Sequence, residues 1–143
     1  MTLPVSPLPR LHRFALVGLG GVVGGLLRYA LTTIAPDRPG AFPWTTLTIN
    51  TVGSFALGLL VTGFVARRAA PAWVRPALGT GLLGAFTTFS AYAHSADLLA
   101  SGGHGGVALA YVVGSLLAGV VGATVGVALG VRVPTRPGPA TSR

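Results

Sequence analysis

The residues of this chain that could do chemistry are almost all uncharged. Thr87, Thr88, Phe89, Ser90 and Tyr92 place hydroxyls and aromatic rings within six residues of an otherwise apolar segment. Asn50 and Ser54 stand four apart, which puts them on one face of a helix, and Tyr111, Ser115 and Gly119 repeat that spacing on another stripe. An amide buried at membrane depth costs free energy unless it has a partner, so Asn50 is a functional candidate. Amide, phenol and hydroxyl donate hydrogen bonds without carrying charge, and such a set suits an anion.

The composition removes most other chemistry. The chain has no cysteine, so it has neither a disulfide framework nor a thiolate metal site. All ten basic residues are arginine, and without lysine there is no Walker-type phosphate loop and no Schiff base. His12, His94 and His104 are scattered without ligand spacing. Ser90, His94 and Ser95 lack a carboxylate in reach, and Asp97 reads as a helix-end group, so no enzyme is expected. The arginines flank apolar runs instead of forming a stripe with aromatics between, which argues against nucleic acid as a partner.

With 51% hydrophobic and 8% charged residues in 143, the chain reads as an all-α integral membrane protein embedded in a lipid bilayer. About 20 apolar residues cross a hydrocarbon core, and four stretches reach that length: Phe14 to Ile34, Trp44 to Ala66, Ala77 to Leu99 and Val107 to Val131. They make one membrane domain over residues 14–131, between a disordered basic segment, 1–13, and a disordered tail, 132–143. The first span has the basic flank of a cleaved signal, but Arg28 and Tyr29 interrupt it and no A-x-A site follows. Arg28 lies nearer the outer end of that span; snorkelling, lining a polar vestibule and binding backbone carbonyls are all open to it.

Four spans place the N-terminus, the second loop and the C-terminus on one side. Arg10, Arg13, Arg67, Arg68, Arg75, Arg132, Arg136 and Arg143 lie there, against Arg38 alone opposite, which predicts both termini in the cytoplasm. Trp44 and Trp73 stand at span edges as interfacial anchors. Small residues four apart, Gly20 with Gly24, Gly21 with Gly25, Ser54 with Gly58, Ser115 with Gly119, and Gly122, Gly126 and Gly130, allow close helix approach. Four spans enclose a pore poorly, so a dimer of about eight helices is expected.

Four motifs in order resemble the Fluc, or CrcB, family of small fluoride channels and cover nearly the whole membrane part. They are GGVVGGLLRY (Gly20 to Tyr29), TLTINTVGSFALG (Thr46 to Gly58), GLLGAFTTFS (Gly81 to Ser90) and the Tyr111 to Ser115 spacing. The resemblance implies an antiparallel dimer of four-helix subunits, with the third helix broken near the midplane. It implies a fluoride-specific channel at the cell membrane that lowers cytoplasmic fluoride by passive efflux. Backbone carbonyls of Gly84 and Thr87 would face a structural sodium ion, Na+, at the dimer interface. Asn50, Phe89, Tyr92, Tyr111 and Ser115 would line the fluoride path, and Arg28 would stand at the vestibule.

The chain departs from the family pattern at several places. A second phenylalanine is usual at Tyr92, a serine- or threonine-rich continuation at Ala91 and Ala93, an acidic residue at Ser95, and often a serine at Gly119. With eight arginines against one, this chain should insert one way only, whereas an antiparallel homodimer needs both orientations. It therefore reads as half of a heterodimer with a related, oppositely oriented subunit. A non-conducting structural or assembly subunit is the main alternative; a small multidrug transporter lacks its ionisable group at membrane depth.

Overall fold

The structure, a computed structural model, describes residues 8–65 and 70–132. Every regular element among them is a helix: α1 (Arg10–Ile34), α2 (Trp44–Leu60), α3 (Arg75–Leu83 running into Gly84–Phe86), α4 (Phe89–Ser101) and α5 (Gly105–Arg132). A wide π-type turn, Val61–Val65, extends α2, and Arg75–Leu83 is wound the same way.

Three segments are long and apolar enough to cross a membrane alone: Arg10–Ile34, Trp44–Val65 and Gly105–Arg132. The stretch expected as a third span, Ala77 to Leu99, is divided between α3 and α4. The Phe86 end of α3 gives way to extended backbone at Thr87 (φ −73°, ψ 157°) and Thr88 (φ −148°, ψ 113°) before α4 begins. No proline lies there; the interruption is held by the hydrogen bonds described below.

Helix ends also differ from expectation. Arg10 to Arg13, read as disordered, form the first turn of α1, where Pro9 precedes the helix and its carbonyl accepts from the Arg13 amide at 3.2 Å. Arginine is a good helix former, and proline at a helix start removes a donor that had no partner. Arg132, placed in the tail, is the last residue of α5. The rest of the two expected disordered segments, residues 1–7 and 133–143, lies outside the described residues, as do Ala66, Arg67 and Arg68.

Small residues set the packing. A Cβ on Gly20 would run into the carbonyl of Ala77, and one on Gly24 into that of Leu82, so α1 lies directly along α3. On the other side of the bundle, Gly122 faces the Thr51 carbonyl, Gly126 that of Phe55, and Gly130 the Thr62 side chain, which brings α5 against α2. Backbones this close gain dispersion and need no large side chains between them. Gly25, grouped with Gly21 in the sequence pattern, has open space around its Cβ position.

The connectors tie the ends. The Asp37 carboxylate accepts from the Thr45 amide (2.8 Å), the Thr46 amide (3.1 Å) and the Thr46 hydroxyl (2.7 Å), so it caps α2 from eight and nine residues upstream. An acceptor with negative charge satisfies orphan N–H groups and complements the helix dipole there. Gly40 (φ +73°) abuts the His104 ring, which places the α1–α2 and α4–α5 connectors at the same end. Few side chains are fully enclosed, notably Ile49, Leu99 and Tyr111, while Phe14, Leu26, Leu116, Val120 and many other large apolar residues are exposed. Such a surface fits lipid or another apolar partner better than water.

Candidate functional site

The interruption between α3 and α4 is built by Asn50 on α2. Its Oδ1 accepts from the Thr88 amide at 2.8 Å, and its Nδ2 donates to the Thr88 carbonyl at 3.0 Å. The side chain thus pairs with the backbone as a neighbouring strand would. This engages the amide oxygen and one of the two Nδ2 hydrogens, and the second hydrogen remains to donate. Thr88 completes the start of α4, its hydroxyl accepting from the Ala91 amide at 3.1 Å and lying 3.2 Å from the Ser90 hydroxyl. The methyl of Thr87 rests on Gly53, where a Cβ would collide with it.

These bonds redirect two backbone donors. In a continuous α-helix the Thr88 amide would donate to the Gly84 carbonyl and the Ala91 amide to that of Thr87. Here Asn50 and the Thr88 hydroxyl accept them instead. Both carbonyls therefore lose their helical donors. The Thr87 amide keeps its bond to the Leu83 carbonyl at 3.1 Å, and the Thr87 hydroxyl donates to the same oxygen at 2.9 Å.

A cleft of about 480 Å³ opens beside the interruption and brings together Asn50, Gly84, Thr87, Phe89, Tyr92 and Ser115, with Ser54 and Gly119. Six of the eight residues proposed from sequence for the ion sites thus share one cavity. Tyr111 and Arg28 do not line it. Tyr111 is 0% exposed and sits one ring behind, its centroid 5.4 Å from that of Tyr92, which is in turn 5.7 Å from Phe89. Arg28, half-buried on α1, lies one turn beyond Gly24 on the side facing α3.

The Tyr111 and Ser115 oxygens are buried and make no well-formed hydrogen bond, although Ser95 and Ser115 stand close to the Tyr111 hydroxyl, and Thr51 on α2 is buried without a partner as well. A buried hydroxyl without an acceptor is costly, so these donors are stabilised by whatever acceptor enters. Phe89 is 80% exposed, and its ring lines the cleft with only Tyr92 stacked beside it among the described aromatic rings.

A family model, described as CrcB-like protein, Camphor Resistance (CrcB), matches residues 15–127. The chain belongs to the CrcB family. A protein of Methylobacterium sp., named fluoride-specific ion channel FluC, is 43% identical over 79% of this chain and 91% of its own length. One of the same name from Thermus thermophilus is 42% identical over 84% of this chain and 96% of its own length. A Streptomyces avermitilis relative, fluoride-specific ion channel FluC 2, is 44% identical over 71% of the chain; the match spans 65% of that longer protein. The family match runs from within α1 to most of α5, so every residue of the candidate site in this multi-pass membrane chain lies inside the matched region.

Sequence reasoning missed several contributors. Gly53 was hidden in a motif of small residues, although only a residue without a side chain leaves room for the Thr87 methyl. Phe42 packs edge-on against Tyr111 at 5.5 Å and 90°, and Asp37 caps α2. An acid shortly before a Thr-Thr helix start was the available signal for Asp37; Phe42 and Thr51 gave none.

Proposed function

We propose that this chain is a subunit of a fluoride-specific channel that lowers cytoplasmic fluoride by passive efflux. The observation that carries the reading is the cleft itself. It gathers uncharged donors, Asn50 and Ser115, with the Phe89 and Tyr92 rings, and its Ser115 hydroxyl makes no well-formed hydrogen bond within the chain. The relatives' names supply the anion.

A small, tightly hydrated anion needs its lost water replaced at several points. The free Nδ2 hydrogen of Asn50 and the Ser115 hydroxyl donate directly, and ring edges of Phe89 and Tyr92 present their positive rims. The Tyr111 hydroxyl stands behind as a further donor, and Arg28 as a cation on the vestibule side. None of the cleft donors is charged, which keeps any one point from trapping the ion.

The second part of the proposal is an antiparallel dimer with a structural sodium ion. Support comes from the Gly84 and Thr87 carbonyls, stripped of their helical donors beside an open cleft: hard oxygen ligands suit a hard cation, and backbone interrupted at the midplane is tolerated where an ion satisfies it. A second subunit would cover Phe89. The arginine distribution favours cytoplasmic termini and, because it favours one orientation, a related partner of opposite bias over a second copy.

Two observations favour a non-conducting assembly role as the second reading: Gly119 offers the cleft no donor, and Asn50 spends most of its amide on Thr88. Fluoride-electrode efflux from liposomes separates the two readings, using this chain alone and co-expressed with a related four-span protein. A channel subunit raises efflux in the pair above the partner alone and loses that gain with Ser115→Ala. An assembly subunit is indifferent to Ser115.

A further inference from the structure

The end of the bundle opposite the Asp37 connector holds a second groove, of about 490 Å³, lined by Arg10, Arg13 and Arg75 with Phe14, Val17 and Thr80. Arg10 and Arg13 come from the first turn of α1 and Arg75 from the start of α3, and all three are exposed. Neither helix start carries a side-chain cap. The chain cannot neutralise this charge itself. It has only two acids, Asp37 and Asp97: Asp37 is spent capping α2 at the far end, and Asp97 lies near the end of α4 that leads to that same connector region.

We propose that this groove binds the phosphate headgroup of an anionic phospholipid. The counterion must come from outside, and the groove's composition specifies its form. Arginine forks match phosphate oxygens bidentately, while Phe14 and Val17, one turn deeper, offer an apolar wall to an acyl chain. The groove also lies where α1 passes from charged to apolar sequence, the depth at which headgroups sit. A free phosphate shares the headgroup chemistry but has no use for that wall.

Trp73, two residues before Arg75 and partly exposed, reports on the site. In a Trp44→Phe background, the protein is reconstituted in phosphatidylcholine containing a fixed fraction of brominated phosphatidylglycerol or brominated phosphatidylcholine, and Trp73 quenching is measured. Anionic lipid is expected to be enriched at the groove by about fivefold per arginine at low salt. The combined Arg10→Gln, Arg13→Gln, Arg75→Gln change should lower that preference at least about fivefold, while lysine at the same positions, which keeps the charge without the fork, should restore only part of it. Arg67 and Arg68 stay native throughout. If the triple variant does not fold, Arg75→Gln alone should still give a partial loss. Equal quenching by the two lipids overturns the proposal, as does a preference that survives the glutamines undiminished. Loss of the preference on adding inorganic phosphate would assign the groove to free phosphate and overturn the lipid.

Discussion

Replacing Asn50 with leucine tests whether one side chain holds the helix interruption together. Leucine has the same branching and number of side-chain heavy atoms but neither bonding atom, so the Thr88 amide and carbonyl lose their partners at 2.8 and 3.0 Å together. A net hydrogen bond contributes about 0.5–1.5 kcal/mol, and an abandoned buried group costs about 1–3 kcal/mol. Thr88 is 7% exposed, yet the adjoining cleft admits some water, which favours the lower half of the summed range. The expected loss is about 2–4 kcal/mol, roughly 30- to 1,000-fold in the folding constant. Interhelical bonds in membranes often measure less, about 0.6 kcal/mol, because the unfolded helices find other partners. Thr88 has no such recourse, since its extended backbone cannot rejoin a helix without displacing α4. Reversible unfolding in mixed micelles, followed by circular dichroism, gives the number. Asn50→Asp keeps the acceptor for the Thr88 amide and serves as the intermediate case. A leucine variant within about 0.5 kcal/mol of the parent would refute the reasoning.

Three further outcomes follow from the packing and the orphan hydroxyls. Tyr111→Phe and Ser115→Ala remove groups that make no well-formed hydrogen bond, so unfolding should shift by less than about 1 kcal/mol while fluoride flux falls roughly tenfold, the reverse of the Asn50 pattern. Gly126→Ala drives a Cβ into the Phe55 carbonyl and should cost about 1–3 kcal/mol in the same unfolding assay, whereas Gly25→Ala, with nothing near, should be neutral or slightly stabilising. Asp37→Ala uncaps α2 and should cost about 1–2 kcal/mol, with faster amide exchange at Thr45 and Thr46 as the local signature.

Much of this was legible in the chain. Length and hydropathy placed α1, α2 and α5, and the four-residue spacing of Gly122, Gly126 and Gly130 marked the face that meets α2. The membership of Asn50, Phe89, Tyr92 and Ser115 in one cleft followed from motifs whose order survives folding. What was not legible is pairing across distance. Nothing in the spacing of Asn50 and Thr88, thirty-eight residues apart, says that an amide will replace a helical turn. Tyr111 shared a stripe with Ser115, yet rings from α4 and the first connector close over it, and only packing reveals that order of layers. Helix starts failed for a local reason, since arginine in the first turn of α1 looks like a flank when charge alone is read.

The most direct measurement is fluoride release from potassium fluoride-loaded liposomes holding this chain with its related partner, followed by a fluoride electrode before and after a potassium ionophore. A passive fluoride path predicts little release before the ionophore and rapid release after it, with chloride retained in parallel vesicles. Absence of ionophore-triggered fluoride release, with or without the partner, would contradict the account.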